Sequence, residues 1–385
     1  MKGSITRRGK ASWRIKFDLP AGPDGKRRSR FMTVRGGKKD AQQKLSEQLV
    51  AVGKGEYVEA SKTTIAQHVR ARIDVWHGAG DIGDATRERY NVLLKKQISP
   101  HIGSEALQRL GTAEVQAWHS MMRAAGLSAL TVRHAHAVLR KALGDAVRHG
   151  QLSRNVCGHD GQRAPKVPKK KPMILKKDQI ADVVDKLRET DIFPEAMLAL
   201  FCGLRAGEVL ALAWSAVDLE SRMLQVKASV EEVAGQPLTI KRPKTDDGER
   251  RLTMPELVVD ALRDHRRQQL ERRLALGIGR LDAGALVFPG QDGGPCRRTA
   301  LSIRWGKTAA ALGIPDVTFH ALRHSHASQL IAAKVDIVTI SARLGHADPS
   351  ITLRVYSHLF ENTDSAAADA INQALGASSV PKTGR

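Results

Sequence analysis

Five short polar segments in the C-terminal half of the chain carry residue types that can do chemistry on a phosphate. Arginine offers a fork of N–H donors that matches phosphate oxygens, histidine moves protons near neutral pH, and tyrosine supplies an oxygen nucleophile. The segments are CGLRAGE (202–208), PKTDDG (243–248), TFHALRH (318–324), LGH (344–346) and SITLRVYSH (350–358). Each segment alone is a weak signal with an ordinary structural explanation, so the prediction depends on their combination.

The first two segments predict a fixed arginine and a lysine on a turn. Arg205 is followed by Gly207 at a break between apolar helical stretches, where free backbone amides favour an anion, and Glu208 can brace the guanidinium. An Asp-Gly pair in the second segment indicates a hairpin turn between two strands, so Lys244 is expected on a mobile β-turn. Lys241 is a nearby competitor for any role given to Lys244.

The third segment predicts a helix that begins after Thr318, a residue that can cap it. His320 and Arg323 then share a face at i, i+3, and a cation beside a proton-transfer group suits work on a phosphate. His320 and His324 also have the i, i+4 spacing of a zinc pair. Because no glutamate follows His320, the HExxH pattern is absent, and we expect no metal.

The last two segments predict a capped turn and a nucleophile. Gly345 is expected to end a helix and to place His346 on the following turn. Tyr356 is one of three tyrosines in the chain and lies on a short helix with polar flanks. It can act as an oxygen nucleophile, although a lone tyrosine at this spacing is more often a core residue.

The chain as a whole is long and strongly basic. Its 385 residues suggest two to three domains, and 62 Lys+Arg against 40 Asp+Glu give a formal net charge of +22. A hydrophobic fraction of 42% is enough for packed cores and argues against wholesale disorder. The usual partner of such a cationic surface is nucleic acid, although a basic excess also serves solubility.

Other features of the sequence argue against several classes of protein. Cys157, Cys202 and Cys296 lie far apart with no CxxC pair, which excludes a disulfide scaffold and a cysteine-ligated zinc site. The apolar run at 196–204 is too short to span a bilayer, and the charged N-terminus lacks the apolar region of a secretory signal. We therefore expect a cytoplasmic protein with no membrane partner.

Residues 1–57 predict a small β-sheet followed by a helix. Apolar residues alternate with basic ones over 13–17, which is the period of a half-buried strand. Acidic residues are nearly absent here, so we expect one basic face of this sheet to contact DNA, with a solvated face as the alternative. The candidate DNA-binding residues of this module are Arg14, Lys16, Arg28 and Arg30.

The rest of the chain predicts a helical domain, a linker and a mixed domain. Residues 60–157 have the pattern of four amphipathic helices in a bundle. Residues 158–174 predict a basic linker, whose run of Lys169, Lys170 and Lys171 can contact the DNA backbone or be simply solvated. Residues 175–377 carry more helix than strand, and 378–385 predict a flexible tail. In this domain strands are expected at 223–230, 238–241 and 250–254, and helices at 257–274, 298–312, 318–333, 336–344 and 350–360.

Taken together, the ordered motifs resemble the tyrosine recombinase (phage integrase) family. CGLRAGE, RPKT, HALRH, RLGH and VYSHL occur in the family's order with fitting intervals. The helical region resembles the family's core-site-binding domain, and the first residues resemble, more loosely, its arm-site-binding module of a three-stranded sheet and a helix. The resemblance implies a multidomain fold, mainly α with small β-sheets, that ends in a mixed α+β catalytic domain. Departures from the family pattern, none of which removes a catalytic group, are Cys202 for threonine, Ala321 for aspartate and Gly248 for serine.

The resemblance implies a reaction at one phosphodiester. Tyr356 attacks it and gives a 3′-phosphotyrosine and a free 5′-hydroxyl, while Arg205 and Arg323 clamp the nonbridging oxygens. Because the phosphotyrosyl bond keeps the phosphodiester energy and two guanidiniums supply the charge, no ATP, metal or other cofactor is implied. The Tyr356 hydroxyl is therefore expected to be accessible and close to both arginines.

The resemblance also implies supporting roles for four further residues. Lys244 protonates the leaving 5′-oxygen, and His320 acts as general base for the tyrosine proton. His346 donates a hydrogen bond to the phosphate, and Glu208 orients its neighbours.

Recombination exchanges strands between two duplexes, so the resemblance implies a homotetramer on double-stranded attachment-site DNA, with a Holliday-junction intermediate. It implies an integrating and excising element such as a prophage, accessory DNA-bending and directionality proteins, and a place at the bacterial nucleoid. A short Ala-rich helix at 364–375 is expected to dock on a neighbouring protomer, with packing on its own protomer as the alternative.

Two rival interpretations follow from the same residues. A type IB topoisomerase uses the same nucleophile and clamp, but it relaxes supercoils as a monomer without a specific site. The basic sheet module before a helical domain favours the integrase layout. A non-catalytic DNA-binding protein of the same fold is the second rival, and the intact set of polar residues argues against it.

Overall fold

The structure is a computed structural model that describes residues 3–20, 27–53, 57–59, 61–168, 173–242, 248–282, 284–359, 368–369 and 371–373. The chain separates into two compact units, Met1–Lys169 and Lys170–Arg385. The predicted class, mainly α with small β-sheets, is confirmed. No helix among the described residues is both long and apolar enough to cross a membrane.

The N-terminal sheet is antiparallel, with its strands in sequence order. They are β1 (Gly3–Gly9), β2 (Ser12–Leu19) and β3 (Arg28–Arg35), and they are followed by α1 (Lys38–Gly53). Ile15 and Phe17 of β2 are buried in one cluster with Ala41 and Val52 of α1. The alternating pattern of β2 thus gives the sheet one face for a helix and one face for solvent.

The strand register shows that the basic residues predicted to contact DNA do not share one face. Arg14 and Lys16 alternate with buried Phe17 and so lie on the face opposite to α1. Phe17 pairs with Arg30 across the sheet. Because cross-strand partners point to the same side, Arg30, and Arg28 two residues before it, lie on the face that packs on α1. The expectation of one basic face holds for Arg14 and Lys16 and is wrong for Arg28 and Arg30.

Four helices follow in the same unit, as predicted. They are α2 (Ile65–Gly78), α3 (Asp84–Leu93), α4 (Thr112–Ala124) and α5 (Ala129–Arg148), and α3 continues into a π-helical turn at Leu94–Ile98. Thr64 caps α2 with its side chain, since its oxygen accepts from the backbone of Gln67. The helices α3 and α4 each begin directly after a glycine, Gly83 and Gly111, in the N-cap position.

A buried carboxylate ties two of these helices together. Asp145 on α5 accepts from Trp76 Nε1 at 2.7 Å and from Arg72 Nε at 2.6 Å, both on α2, and it also pairs with Arg148. Burial alone would raise the pKa of this carboxyl, but the hydrogen bonds hold it below its usual range. The bundle thus contains a fully partnered internal charge.

The C-terminal unit contains helices and two small sheets. Its helices are α6 (Lys177–Leu187), α7 (Phe193–Phe201), α8 (Ala206–Leu210), α9 (Glu256–Ala275), α10 (Arg298–Ala311), α11 (Phe319–Ala332), α12 (Ile337–Leu344) and α13 (Pro349–Tyr356). Its strands are β4 (Val217–Asp218), β5 (Met223–Val226), β6 (Ser229–Glu231), β7 (Thr239–Lys241) and β8 (Arg250–Thr253). The helices α9 to α12 agree with the predicted bounds to within one residue, whereas α13 ends early, at Tyr356, and passes into a 3-10 turn (Ser357–Leu359).

The strands correct two sequence predictions. The strand expected at 223–230 is two strands, because β5 pairs with β8 while β6 pairs with β7. The apolar alternation runs through both, so it could not show the change of partner. The hairpin expected between β7 and β8 is also wrong, since these strands belong to different sheets. Residues 243–247 between them, including Lys244, lie outside the described residues.

The apolar run at 196–204 forms the centre of this unit. Ala196, Met197 and Leu198 on α7 are fully buried, and α7 packs against α9 and α11. The apolar run that is too short to span a bilayer is therefore a helix of the hydrophobic core. This helix fixes α11, which carries several of the candidate site residues.

Candidate active site

Five residues singled out from the sequence line one cleft of about 360 Å³. They are Arg205, His320, Arg323, His346 and Tyr356. The cleft also contains His324, Gly345 and the apolar side chains of α13. The sixth candidate, Lys244, and the linker residues Lys169, Lys170 and Lys171 lie outside the described residues.

Two glycines in the left-handed conformation shape the backbone at this cleft. Gly203, just before Arg205, has φ +69°, and a Cβ there would lie 2.7 Å from the ring of His326. Gly345 has φ +64° and ends α12 as its C-cap, as predicted; a Cβ there would lie 2.8 Å from the guanidinium of Arg250. Both positions therefore need the small size and the backbone freedom of glycine.

The C-terminal end of α12 is the anchor of the site. Three consecutive backbone carbonyls there accept hydrogen bonds from three different guanidiniums. Arg250 Nε donates to the carbonyl of residue 343 at 2.8 Å, Arg323 Nη2 donates to that of residue 344 at 2.6 Å, and Arg205 Nη2 donates to that of residue 345 at 3.3 Å. Cations are favoured at a helix C-terminus because its free carbonyls carry partial negative charge.

Arg323 is the most deeply held of these cations. Its Nη1 donates to the Gly203 carbonyl at 2.5 Å and its Nη2 to His346 Nε2 at 3.0 Å. The residue is only 3% exposed. Burial, with Arg205 acting in the same direction, lowers the pKa of its guanidinium to about 9. The orientation of this arginine is therefore fixed before any substrate binds.

Glu208 joins two of the arginines, as the sequence partly anticipated. Its Oε1 accepts from Arg205 Nη1 at 2.8 Å, and its Oε2 accepts from the Arg205 backbone N–H at 2.9 Å. Arg250 donates to both oxygens, at 3.2 and 2.9 Å. Burial alone would raise the pKa of Glu208, but the hydrogen bond and charge of Arg250 and the charge of Arg205 lower it to about 2.

Arg250 is a site residue that the sequence analysis missed. It was expected only as the first residue of a strand. Along β8 the burial alternates, with Arg250 and Leu252 inward and Arg251 and Thr253 outward. A charged residue at an inward position of a strand predicts a buried partner, and this signal could have singled it out.

His346 has protein partners on both ring nitrogens. Nε2 accepts from Arg323, and Nδ1 lies 2.8 Å from the Thr352 hydroxyl. Burial and the charges of Arg323 and Arg205 lower the pKa of His346 to about 4, so the ring is neutral near pH 7. A neutral ring that accepts at Nε2 carries its proton on Nδ1 and donates it to Thr352 on α13.

Tyr356 is buried, contrary to the expectation of an accessible hydroxyl. The residue is 2% exposed, although it contributes to the cleft wall. Its hydroxyl lies 2.6 Å from Nδ1 of His324. Burial raises the pKa of the phenol to about 12, and Arg323 acts in the opposite direction. His324 is thus the second site residue missed, since its i, i+4 spacing from His320 was weighed only for zinc.

The other two candidates differ in their position. His320 lines the cleft with an exposed side chain, and its ring centroid lies 4.7 Å from that of His324. Lys241, the competitor of Lys244, forms an ion pair with Glu231 across the β6–β7 pair. Within the described ranges, no group of three or more His, Cys, Asp or Glu could hold a metal ion.

The chain is similar to known recombinases and integrases. Residues 174–363 match the model of the phage integrase family. A tyrosine recombinase XerC-like protein of Caldanaerobacter subterraneus is 27% identical over 274 residues, covering 67% of this chain and 70% of the relative. The ICEBs1 integrase of Bacillus subtilis is 26% identical over 285 residues, covering 74% and 76%. The prophage phiRv2 integrase of Mycobacterium tuberculosis is 27% identical over 293 residues, covering 75% and 74%.

Solved structures show the same fold at lower identity. The Tn1549 transposon integrase in complex with a circular intermediate DNA has a TM-score of 0.67 at 19% identity, covering 81% of this chain and 99% of that one. A lambda integrase tetramer bound to a Holliday junction has a TM-score of 0.55 at 16% identity, covering 90% and 96%.

Fold, cleft and relatives together define a tyrosine-type site-specific recombinase. More narrowly, its segment 174–363 is a domain of the phage integrase family. The resemblance of the ordered motifs is thereby confirmed.

We expect Arg250→Ala to destabilise the protein by about 3–5 kcal/mol, because it removes the buried cation that donates to both oxygens of the buried Glu208 carboxylate. The folded-state pKa of Glu208 is depressed, so its stabilising effect is present above the unfolded value and is lost as pH falls from there toward about 2. The variant should therefore lose less stability than the wild type between pH 5 and pH 3, in urea unfolding. Arg251→Ala, one residue along β8 and exposed, is the control; an equal effect of both changes would contradict the assignment.

Proposed function

We propose that this cleft is the strand-transfer site with which the chain integrates and excises a mobile element such as a prophage. The observation that carries the proposal is the convergence of Arg205, Arg323 and Tyr356 on one cleft, with both guanidiniums anchored by the same helix end. A net positive cleft with a hydroxyl in its wall suits a phosphodiester and attack upon it.

In this proposal the scissile phosphate enters between Arg205 and Arg323. The guanidiniums neutralise the charge that develops on the nonbridging oxygens, while Tyr356 attacks the phosphorus and displaces the 5′-oxygen. The product is a 3′-phosphotyrosine, and rejoining reverses the step. Because Tyr356 is buried in the chain without DNA, the phenol has to turn toward the phosphate when DNA occupies the cleft.

The supporting roles follow the same geometry. Lys244 is proposed as the acid that protonates the 5′-oxygen. His320, which lines the cleft, is proposed as the general base that takes the proton of the tyrosine. Glu208 orients Arg205 through its two hydrogen bonds. In the structure, His346 contacts Arg323 with its Nε2 and Thr352 with its Nδ1. To donate a hydrogen bond from Nε2 to a phosphate, His346 has to give up the hydrogen bond that it accepts from Arg323.

The free face of the N-terminal sheet is proposed to bind arm-type DNA. Lys16 pairs with Phe31, which is 52% exposed, and the guanidinium of Arg14 lies 4.1 Å from the centre of the Phe31 ring. Two cations around an exposed aromatic ring offer phosphate contacts beside an apolar contact for a base edge. Arg28 and Arg30, on the opposite face, are proposed to contact DNA at most from the edge of the sheet. Lys169, Lys170 and Lys171 of the linker are proposed to contact the DNA backbone.

The proposed assembly is a homotetramer on double-stranded attachment-site DNA. Its support is the fold shared with a lambda integrase whose tetramer binds a Holliday junction. The helix at 364–375 is proposed to dock on a neighbouring protomer; its described residues, 368–369 and 371–373, are helical. We also propose that accessory proteins for DNA bending and directionality assist this assembly. The proposed location is the cytoplasm, at the nucleoid.

The domain organisation is proposed as an arm-binding module (1–57), a core-binding domain (60–157), a basic linker (158–174), a catalytic domain (175–377) and a tail (378–385). A separate hydrophobic cluster supports each of the three folded parts, which are the arm-binding module, the core-binding domain and the catalytic domain. Each part can then contact a different segment of DNA.

We expect Tyr356→Phe to abolish covalent attachment to DNA, because no oxygen nucleophile remains, while band-shift affinity changes less than about twofold. The wild-type chain is incubated with sheared DNA of its source genome, and denaturant-resistant protein–DNA adducts are recovered and sequenced. The sequence obtained is rebuilt as a nicked core duplex, on which wild type and variant are compared.

Tyr90→Phe in the helical unit is the matched control and should capture DNA normally. Capture by Tyr356→Phe equal to that by the wild type would refute the nucleophile. Recovery of adducts with no common sequence, together with relaxation of any supercoiled plasmid, would favour the type IB topoisomerase.

We expect Lys16→Ala to reduce the salt dependence of DNA binding, since one phosphate contact contributes about 0.9 to the slope of log K against log salt. The measurement is a band shift on a mixed-sequence duplex at several salt concentrations. Arg30→Ala, on the face that packs on α1 and ion-paired with Glu59, is the control. A slope lowered by Arg30→Ala and unchanged by Lys16→Ala would place the DNA on the other face.

A further inference from the structure

We infer that His326 and Arg343 form a pair of positioning residues, which sets the distance between the two arginines that bind the phosphate. The inference rests on the proposed function of the cleft, since it concerns how Arg205 and Arg323 reach their places there. Both side chains of the pair lie in the wall of a separate cavity of about 510 Å³ and not in that of the cleft. We therefore expect them to act on the reaction through other residues and not by contact with DNA.

The end of α7 and the turn after it, residues 200–203, are held by side chains of α11 and α12. Backbone carbonyls at the end of a helix need such donors, because no further turn of the helix supplies them. The contacts are His326 Nδ1 with the carbonyl of residue 200 at 3.1 Å, Arg343 Nη2 with that of residue 201 at 3.2 Å, and Arg323 Nη1 with that of residue 203 at 2.5 Å. Arg205 follows two residues later, so these contacts determine where its backbone lies.

Arg343 fixes the tautomer of His326. Its Nε donates to His326 Nε2 at 3.2 Å, and a guanidinium has no acceptor atom. Nε2 therefore accepts, and the ring proton is on Nδ1, which donates it to the carbonyl of residue 200. Burial, with the charge of Arg343 acting in the same direction, lowers the pKa of His326 to about 3, so the ring is neutral near pH 7. The pair thus has one arrangement of its protons.

The ring of His326 also limits where the backbone of Gly203 can lie. A Cβ at Gly203 would be 2.7 Å from the ring, so the two groups pack directly against each other. Arg343 extends the contact to β8, because its Nη2 also donates to the Thr253 carbonyl at 3.1 Å. The pair therefore joins α7, α11, α12 and β8. A shift of residues 200–203 would move Arg205 relative to α11, the helix that carries the other phosphate-binding arginine.

A conservative change at Arg343 tests the inference. Lysine keeps the charge, but its single ammonium group cannot reach His326 and both carbonyls as the guanidinium does. We expect Arg343→Lys to lower the single-turnover cleavage rate on the nicked core duplex by about 10–100-fold, while band-shift affinity changes less than about twofold, because misplaced groups slow the chemical step. Arg251→Lys, at an exposed position of β8, is the matched control and should cleave at the wild-type rate.

A double-mutant cycle with Arg205→Ala separates positioning from a general loss of structure. If Arg343 acts by placing Arg205, Arg343→Lys should lower the remaining cleavage rate of Arg205→Ala by less than about twofold, because the group to be placed is gone. Adduct formation by the slow variants is followed over hours. A loss of the same factor in both backgrounds would show that Arg343 has only a structural role.

His326→Asn supplies a second variant, which goes through the same cycle if Arg343→Lys lowers the thermal midpoint so far that it no longer binds DNA. Its amide can donate to the carbonyl of residue 200 but is too short to meet Arg343 as well, so we expect a slower cleavage rate at unchanged affinity. Wild-type cleavage rates in both variants would overturn the inference. If the wild-type chain forms no adduct with DNA, the proposed function itself fails, which is a different outcome.

Discussion

The carbonyl end of one short helix determines where every charged group of the cleft lies. α12 has eight residues, and its last carbonyls accept from Arg250 of β8, Arg323 of α11 and Arg205 at the start of α8. These three segments are far apart in the chain, and Glu208 and the Gly203 carbonyl join them further. The left-handed Gly345 ends the helix at the point where its carbonyls face the guanidiniums. One residue inserted within this helix would rotate its last carbonyls by about 100° around the helix axis and separate the donors from their acceptors.

Three guanidiniums around one helix end leave the site with more positive charge than the protein itself balances. Glu208 is the carboxylate that faces them, and it binds Arg205 and Arg250 but not Arg323. The excess is visible in the lowered pKa values of Arg323, His346 and His324, to which burial and the neighbouring arginines both contribute. Such a site favours an anion, and in the proposed function a phosphodiester brings one negative charge between Arg205 and Arg323. The cost of holding these charges together is therefore met in the folded core, before the substrate arrives.

Much of this arrangement could be predicted from local sequence, and the part that could not has a common cause. Helix caps and helical periodicity depend on residues that are close in the chain. The predicted caps Thr318 and Gly345 and the predicted bounds of α9 to α12 are accordingly confirmed. The errors concern partners distant in sequence. The alternation in 223–230 could not show that β5 and β6 enter different sheets, and Arg250 pairs with Glu208 across 42 residues. The contact of Tyr356 with His324 spans α11 to α13, so no spacing rule separates His324 from His320.

Arg323 also connects the proposed phosphate site to the helix that carries Tyr356. Arg323 donates to His346, and His346 meets Thr352 on α13, the helix that carries Tyr356. His324, the residue after Arg323, holds the hydroxyl of Tyr356. The helix α13, which carries Tyr356, is therefore held to α11 at two points. Both points lie beside the guanidinium of Arg323, which in the proposed function binds the phosphate. A phosphate that draws an N–H of Arg323 away from His346 weakens one tie and changes the charge around the other. Under the proposed function, entry of DNA into the cleft and release of the buried phenol are coupled, because Arg323 and its neighbour His324 also hold the helix of Tyr356 in place.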